Sequence, residues 1–198
     1  MKKIILSVAA LFAFGFANAQ EAESGSFGLA KGDLYLTGVF NLNSITQGDA
    51  KFNGFTVAPG LGFLVTENIA LEGTLGYTSI KDDDGVDETT ISGFGIAVGA
   101  KYFFTPADKF SLSIGANISF NSIDNEFVGP DYTEQEIGIN VPVGLHYFVS
   151  NKFALTTTWG GLGYSSNDNG GENNVEKTNS FALGLDLTAV TFGLIYKL

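Results

Sequence analysis

His146 is the only histidine of this 198-residue chain. A histidine beside a serine hydroxyl and a carboxylate is the set that activates a nucleophile for acyl transfer. In EIGINVPVGLHYF it shares alternate positions with Glu136, Gly138, Asn140, Pro142 and Gly144. Ser111 and Ser113, in FSLSIGANISF, are the hydroxyls that a neighbouring antiparallel strand would bring toward it. Glu72, Lys101 and Asp186 occupy alternate positions in similar sets. Such charges could form a selectivity ring or gate, or they could simply pair. Pairing is the better reading, because an unpaired buried charge is expensive and Lys101 is available to compensate a carboxylate.

Two further stretches invite chemistry without supporting it. KDDDGVDE places Asp82, Asp83 and Asp84 consecutively, whereas a helix–loop–helix calcium site needs acids on alternate positions and a closing Glu. It reads as a solvated loop, able at most to bridge divalent cations to an anionic surface. SGFGIAVGA fails the G-x-G-x-x-G spacing of a dinucleotide-binding turn and lies inside a strand pattern. No cofactor and no metal is expected.

Strands must therefore position these residues. FSLSIGANISF alternates Phe110, Leu112, Ile114, Ala116, Ile118 and Phe120 with Ser111, Ser113, Gly115, Asn117 and Ser119. A period of two gives one apolar face and one small, polar face. The pattern recurs at lengths that suit tilted strands crossing a bilayer. Eight strand candidates result, at 33–43, 55–65, 69–80, 89–104, 110–121, 134–148, 153–164 and 179–198. Connections after the second, fourth and sixth are short, and those after the others are longer and polar. Short periplasmic turns with longer external loops are the habit of outer-membrane barrels, which puts both termini in the periplasm. GFLVTENIAL, KYFFTPADKFSL and HYFVSNKFAL repeat one aromatic–turn–apolar unit per hairpin.

The outward sets carry Tyr102, Phe110, Tyr147, Phe153 and Tyr196 at the periplasmic ends. They carry Phe40, Tyr77, Phe120, Trp159 and Phe181 at the external ends. Two aromatic girdles with aliphatics between them fit a lipid-facing surface. A soluble barrel would turn its large apolar residues inward. In the last strand the apolar set changes parity, from Phe181, Leu183 and Leu185 to Phe192, Leu194 and Tyr196. That change predicts a β-bulge between Thr188 and Phe192. Lysine at outward Ile114 should hinder folding, and lysine at inward Ser113 should be far milder.

The opening MKKIILSVAALFAFGFANAQ has a lysine pair, an apolar stretch and Ala17-Asn18-Ala19. This is the layout of a cleaved secretory signal over 1–19, with one barrel domain over 20–198. Without Lys2 and Lys3 the chain keeps 8 basic against 21 acidic residues, a net charge of −13. That balance, with no arginine anywhere, excludes a nucleic-acid partner. There is also no cysteine for a lipid anchor or a disulfide.

With its eight strands, signal, short inner turns and final FGLIYKL, the chain resembles the OmpA/OmpX-like outer-membrane β-barrel family, in its barrel-only form. The resemblance spans essentially the whole mature chain and rests on pattern. Members usually end on an aromatic residue that the barrel-assembly machinery recognises. Here Leu198 is last and Tyr196 lies two before it, so that element is partly matched. The expected fold is all-β, an eight-stranded antiparallel up-and-down transmembrane barrel. It would sit as a monomer in outer-membrane lipid and lipopolysaccharide of a Gram-negative bacterium. The expected role is structural or surface-interactive, with an extracellular ligand of the loops left open. A lumen of Gly, Ala, Ser and Thr motivates the alternative, a narrow passive channel. Catalysis is not expected, because His146 would lie inside the barrel at its periplasmic end, away from outer-leaflet lipid.

Overall fold

A computed structural model describes residues 27–85, 87–126, 131–171, 175–185 and 191–198. Every regular element among them is a strand: β1 (Leu34–Gln47), β2 (Ala50–Leu64), β3 (Ile69–Asp83), β4 (Glu88–Phe103), β5 (Phe110–Glu126), β6 (Tyr132–Phe148), β7 (Phe153–Asn167), β8 (Thr178–Leu185) and β9 (Thr191–Lys197). Neighbours in sequence pair antiparallel from β1 through β7. β8 pairs with the upper half of β7 and β9 with its lower half. β8 and β9 therefore share one stave, and β9 closes the ring on β1 from Tyr35 to Val39. The result is a closed eight-stranded barrel. Residues 1–19 and the bulge expected between Thr188 and Phe192 lie outside the described residues, as does Asp186.

The barrel has two unlike ends. At the turn end, β2–β3, β4–β5 and β6–β7 are joined by short links, and the first described residues tuck beneath. At the hairpin end the strands run further than the alternation predicts. The expected loop between 43 and 55 is mostly ladder, with Gln47 paired to Ala50 across Gly48-Asp49. Ladder hydrogen bonds continue in solvent where no lipid face imposes alternation, so hydrophobic period alone stops the strand too early. Between β7 and β8, Asp168 accepts the Gln135 backbone N–H at 2.8 Å, which holds its carboxyl below the ordinary range.

The parity change expected in the last stave has a counterpart in β7. Val143 pairs with Gly160 but Gly144 pairs with Thr158, which leaves Trp159 as the extra residue of a bulge. Below it Leu155 and Phe153 share the face of Tyr196, and above it Leu162 and Tyr164 share the face of Leu183 and Phe181. Gly160 and Gly161 follow with φ of +151° and +152°, values open to glycine and costly for other residues. Across from Gly161 stands Pro142, which has no N–H to give to the ladder.

Candidate functional site

The candidate residues meet in the lumen, which is built in layers. Parity places Tyr35, Leu64, Ala70, Phe103, Phe148, Ala154 and Ile195 on the inner face at the turn end, and all seven are fully buried. Leu29, from the segment before β1, joins them as its backbone N–H bonds Pro106 O at 2.7 Å. These side chains form an apolar plug. Phe103 meets Tyr35 edge-on at 6.5 Å between ring centroids. Tyr35 also lies across Gly62, where an added Cβ would overlap the ring. Gly62→Ala should therefore displace Tyr35 and lower the urea midpoint of unfolding. Packing strain of this kind typically costs about 1–3 kcal/mol.

Above the plug lies a charged layer. Lys101 sits opposite Ala70 on β3 and reaches diagonally to Glu72, 2.8 Å away. The Tyr35 hydroxyl donates to the same Glu72 oxygen at 2.6 Å. This carboxylate thus has two partners, and its charge is matched. His146 stands next to Phe103 at 4.9 Å, and its Nε2 lies 2.7 Å from Ser113 Oγ. Ser111 is the direct cross-strand neighbour of His146, yet its hydroxyl bonds the Leu112 carbonyl and receives the Thr105 N–H. The other ring nitrogen, Nδ1, is buried without a partner. A serine–histidine pair is present, but no carboxylate orients the ring, as acyl transfer would need. Among the described residues no group of three His, Cys, Asp or Glu could hold a metal.

The mid-lumen encloses a small cavity of about 110 Å³, bounded by Glu72, Ala97, Gly99, Lys101, Ser113 and His146 among others. Higher up, Asn121 donates to Glu136 at 3.2 Å, and Asn140 reaches Asn117 and Ser119 at 3.4 and 3.5 Å. Four of the candidate lumen residues therefore fall into three pairs: Glu72 with Lys101, His146 with Ser113, and Glu136 with Asn121. Ser113 faces inward, as its parity predicts, and is only 3 % exposed. Lysine there would take the Ser113 hydroxyl away from His146 and run its chain into the small cavity that Ser113 helps to line.

On the outer face, Tyr102, Phe110 and Tyr147 are exposed near the turn end, with Phe153 and Tyr196 half-buried. Toward the hairpin end, Phe40, Phe120 and Phe181 are exposed and Tyr77 is half-buried, its ring tilted 48° against Phe94 at 4.7 Å. Trp159 is the bulge residue described above. Phe94 and Tyr164 are further exposed aromatics that the girdle reading passed over. The plug itself was missed, because consecutive aromatics such as Tyr102-Phe103-Phe104 hide one inward ring between two outward ones.

No curated protein sequence matches the chain. Among solved structures, it is similar to the Neisserial surface protein A, at 20 % identity and a TM-score of 0.48, over 83 % of this chain and 97 % of that one. The outer membrane protein OprG of Pseudomonas aeruginosa gives 13 % identity and 0.47, over 86 % and 98 %. A major outer membrane protein of Thermus thermophilus gives 8 % and 0.50, over 84 % and 98 %. At such identities the likeness concerns fold alone. The sequence profile of the outer membrane protein beta-barrel domain matches residues 6–188. A lumen plugged at one end, inside a closed barrel whose exposed outer face is apolar, is thus carried by a chain that belongs to the outer membrane protein beta-barrel family.

Proposed function

We propose that this barrel is a non-conducting, non-enzymatic element of the outer membrane, with a structural or surface-interactive role at its hairpin end. The observation that carries the reading is the apolar plug of Tyr35, Phe103, Phe148, Leu64, Ile195 and Leu29. Every one of these side chains is at most 1 % exposed, which supports closure of the lumen at this layer. The small-residue lumen that motivated a passive channel ends on this layer. In the same reading the turn end faces the periplasm, with both termini there, and the hairpins face outward. Lipid and lipopolysaccharide surround a monomer that the barrel-assembly machinery inserts, and a partner of the hairpins is a surface molecule. The unoriented His146–Ser113 pair acts structurally, by satisfying a histidine nitrogen and a hydroxyl that burial would otherwise leave bare.

Planar-bilayer recording of the refolded chain tests this proposal. The expected trace is flat at both polarities. Stable, unitary current steps would establish the channel reading instead.

A further inference from the structure

Residues 27–33 precede the first strand, yet they are built into the turn end. At one end of this segment the Gly32 N–H donates to Leu64 O at 2.9 Å, and the Leu64 N–H donates to Asp33 O at 3.0 Å. The Asp33 carboxylate also pairs with Lys197 of β9 at 2.6 Å. At the other end the Leu29 N–H donates to Pro106 O, in the β4–β5 turn, at 2.7 Å. Lys109 of the same turn lies 5.1 Å from the Phe27 ring centre and 5.3 Å from that of Tyr147. In the ring that turn stands opposite β1, with β2 and β3 between them on one side and β9, β7 and β6 on the other. The segment therefore crosses the mouth of the barrel.

Its attachment differs in kind from that of the wall. Leu29 enters the plug, while Phe27, Ala30 and Lys31 stay exposed. Gly28 fits against Pro106 and Ala107 with no room for a Cβ, and its φ is +88°. Gly32 has a φ of +91°. Both values lie in the left-handed region that glycine enters at little cost, so Leu29, Ala30 and Lys31 hang between two glycine joints. No ladder holds these residues, whereas β3 to β6 are paired along both edges. A segment held by few buried contacts opens at lower free energy than the ladders around it.

We propose that residues 27–33 form a strap that closes the turn-end mouth and opens as a unit while the barrel wall stays folded. Leu29 is its anchor, Gly28 and Gly32 are its joints, and Phe27 against Lys109 is its far clasp. Access to the plug from the turn end is then set by the strap and not by the inner side chains alone. The inference goes beyond the closed-barrel reading and stands apart from it, since access to the plug from one side needs no conduction through the lumen.

The test uses the full chain refolded in lipid nanodiscs, which leave both ends of the barrel open to solvent. The chain has no cysteine, so a single Ala70→Cys reports on the plug, where Ala70 is fully buried. The probe is a charged methanethiosulfonate that does not enter lipid. Leu29→Asp puts a carboxylate among the plug side chains, and Gly28→Val drives a side chain into Pro106, so each holds the strap off. Labelling of the cysteine should then rise about ten- to hundredfold, the factor that burial of one leucine side chain represents. Lys31→Gln, on the exposed face, should leave the rate unchanged. The faster rate should be insensitive to dilute urea, because opening the strap exposes little surface, whereas unfolding of the barrel follows denaturant steeply. Heat-shifted gel mobility establishes that each variant has folded, and Leu29→Ser, which only removes the anchor, replaces either one that has not. Folded variants that label at the parent rate would leave closure to the inner side chains. A rate that climbs with urea as steeply as global unfolding would make the segment part of the cooperative fold. Either result overturns the strap.

Discussion

Lysine in place of Ile118 should destabilise the folded barrel by about 2–4 kcal/mol, the cost of a cation at the bilayer midplane. Ile118 lies in the middle of β5, 57 % exposed, between Val98 of β4 and Ile139 of β6 in one outward cross-strand row. Its neighbours on that row are exposed as well, so a lysine there finds no carboxylate within the barrel wall. The ammonium must snorkel toward one interface or drag water inward, and from mid-strand both routes are long. Thr46→Lys is the appropriate control. Thr46 is exposed beside the Gly48-Asp49 turn, beyond the apolar belt, and a solvated lysine there, even opposite Lys51, should cost less than about 1 kcal/mol. Urea-dependent equilibrium folding into vesicles, followed by the unheated-to-heated gel shift, reads both. If the two lysines proved equally mild, the outer face would not be a lipid face.

What made Ile118 legible is local. In FSLSIGANISF large and small residues alternate without interruption, so the sequence states both faces of β5 at once. The pairing of His146 with a serine was half-legible: antiparallel neighbours bring Ser111 and Ser113 near it, but only the register decides which. Ser111 is directly opposite, and its hydroxyl turns to backbone groups, so the diagonal Ser113 takes the ring. Lys101 meets Glu72 by the same diagonal logic, one that parity alone does not contain. Other features left little trace. The Trp159 bulge is announced only by Gly160-Gly161, in a chain with 26 glycines. Tyr35 needs Gly62 opposite it, a tertiary match between two strands that neither segment shows by itself.

Phe103→Ala should have the larger effect of the plug substitutions, about 3–5 kcal/mol. Phe103 is fully buried at the end of β4 and joins three groups: Tyr35 edge-on, His146 at 4.9 Å, and Lys101, whose ammonium lies 5.9 Å from the ring centre. Truncation removes the apolar burial and also uncovers the ion pair of Lys101 with Glu72, since the ring forms one wall of that layer. Water reaching the layer would weaken the pair, because its attraction depends on the low local dielectric. The loss should therefore exceed that of Ala-scanning Leu64, which is equally buried and touches no charge pair in this way. Both substitutions are read from urea midpoints in the same vesicles. The plug also makes a functional claim: Phe103→Ala combined with Phe148→Ala should turn a silent barrel into one that passes small ions, because both rings belong to the one layer closing the turn end. If the double variant folds, by gel shift, and remains silent in a planar bilayer, then closure does not reside in this layer. The polar pairs above it, Glu72 with Lys101 and Glu136 with Asn121, would then be the barrier to conduction.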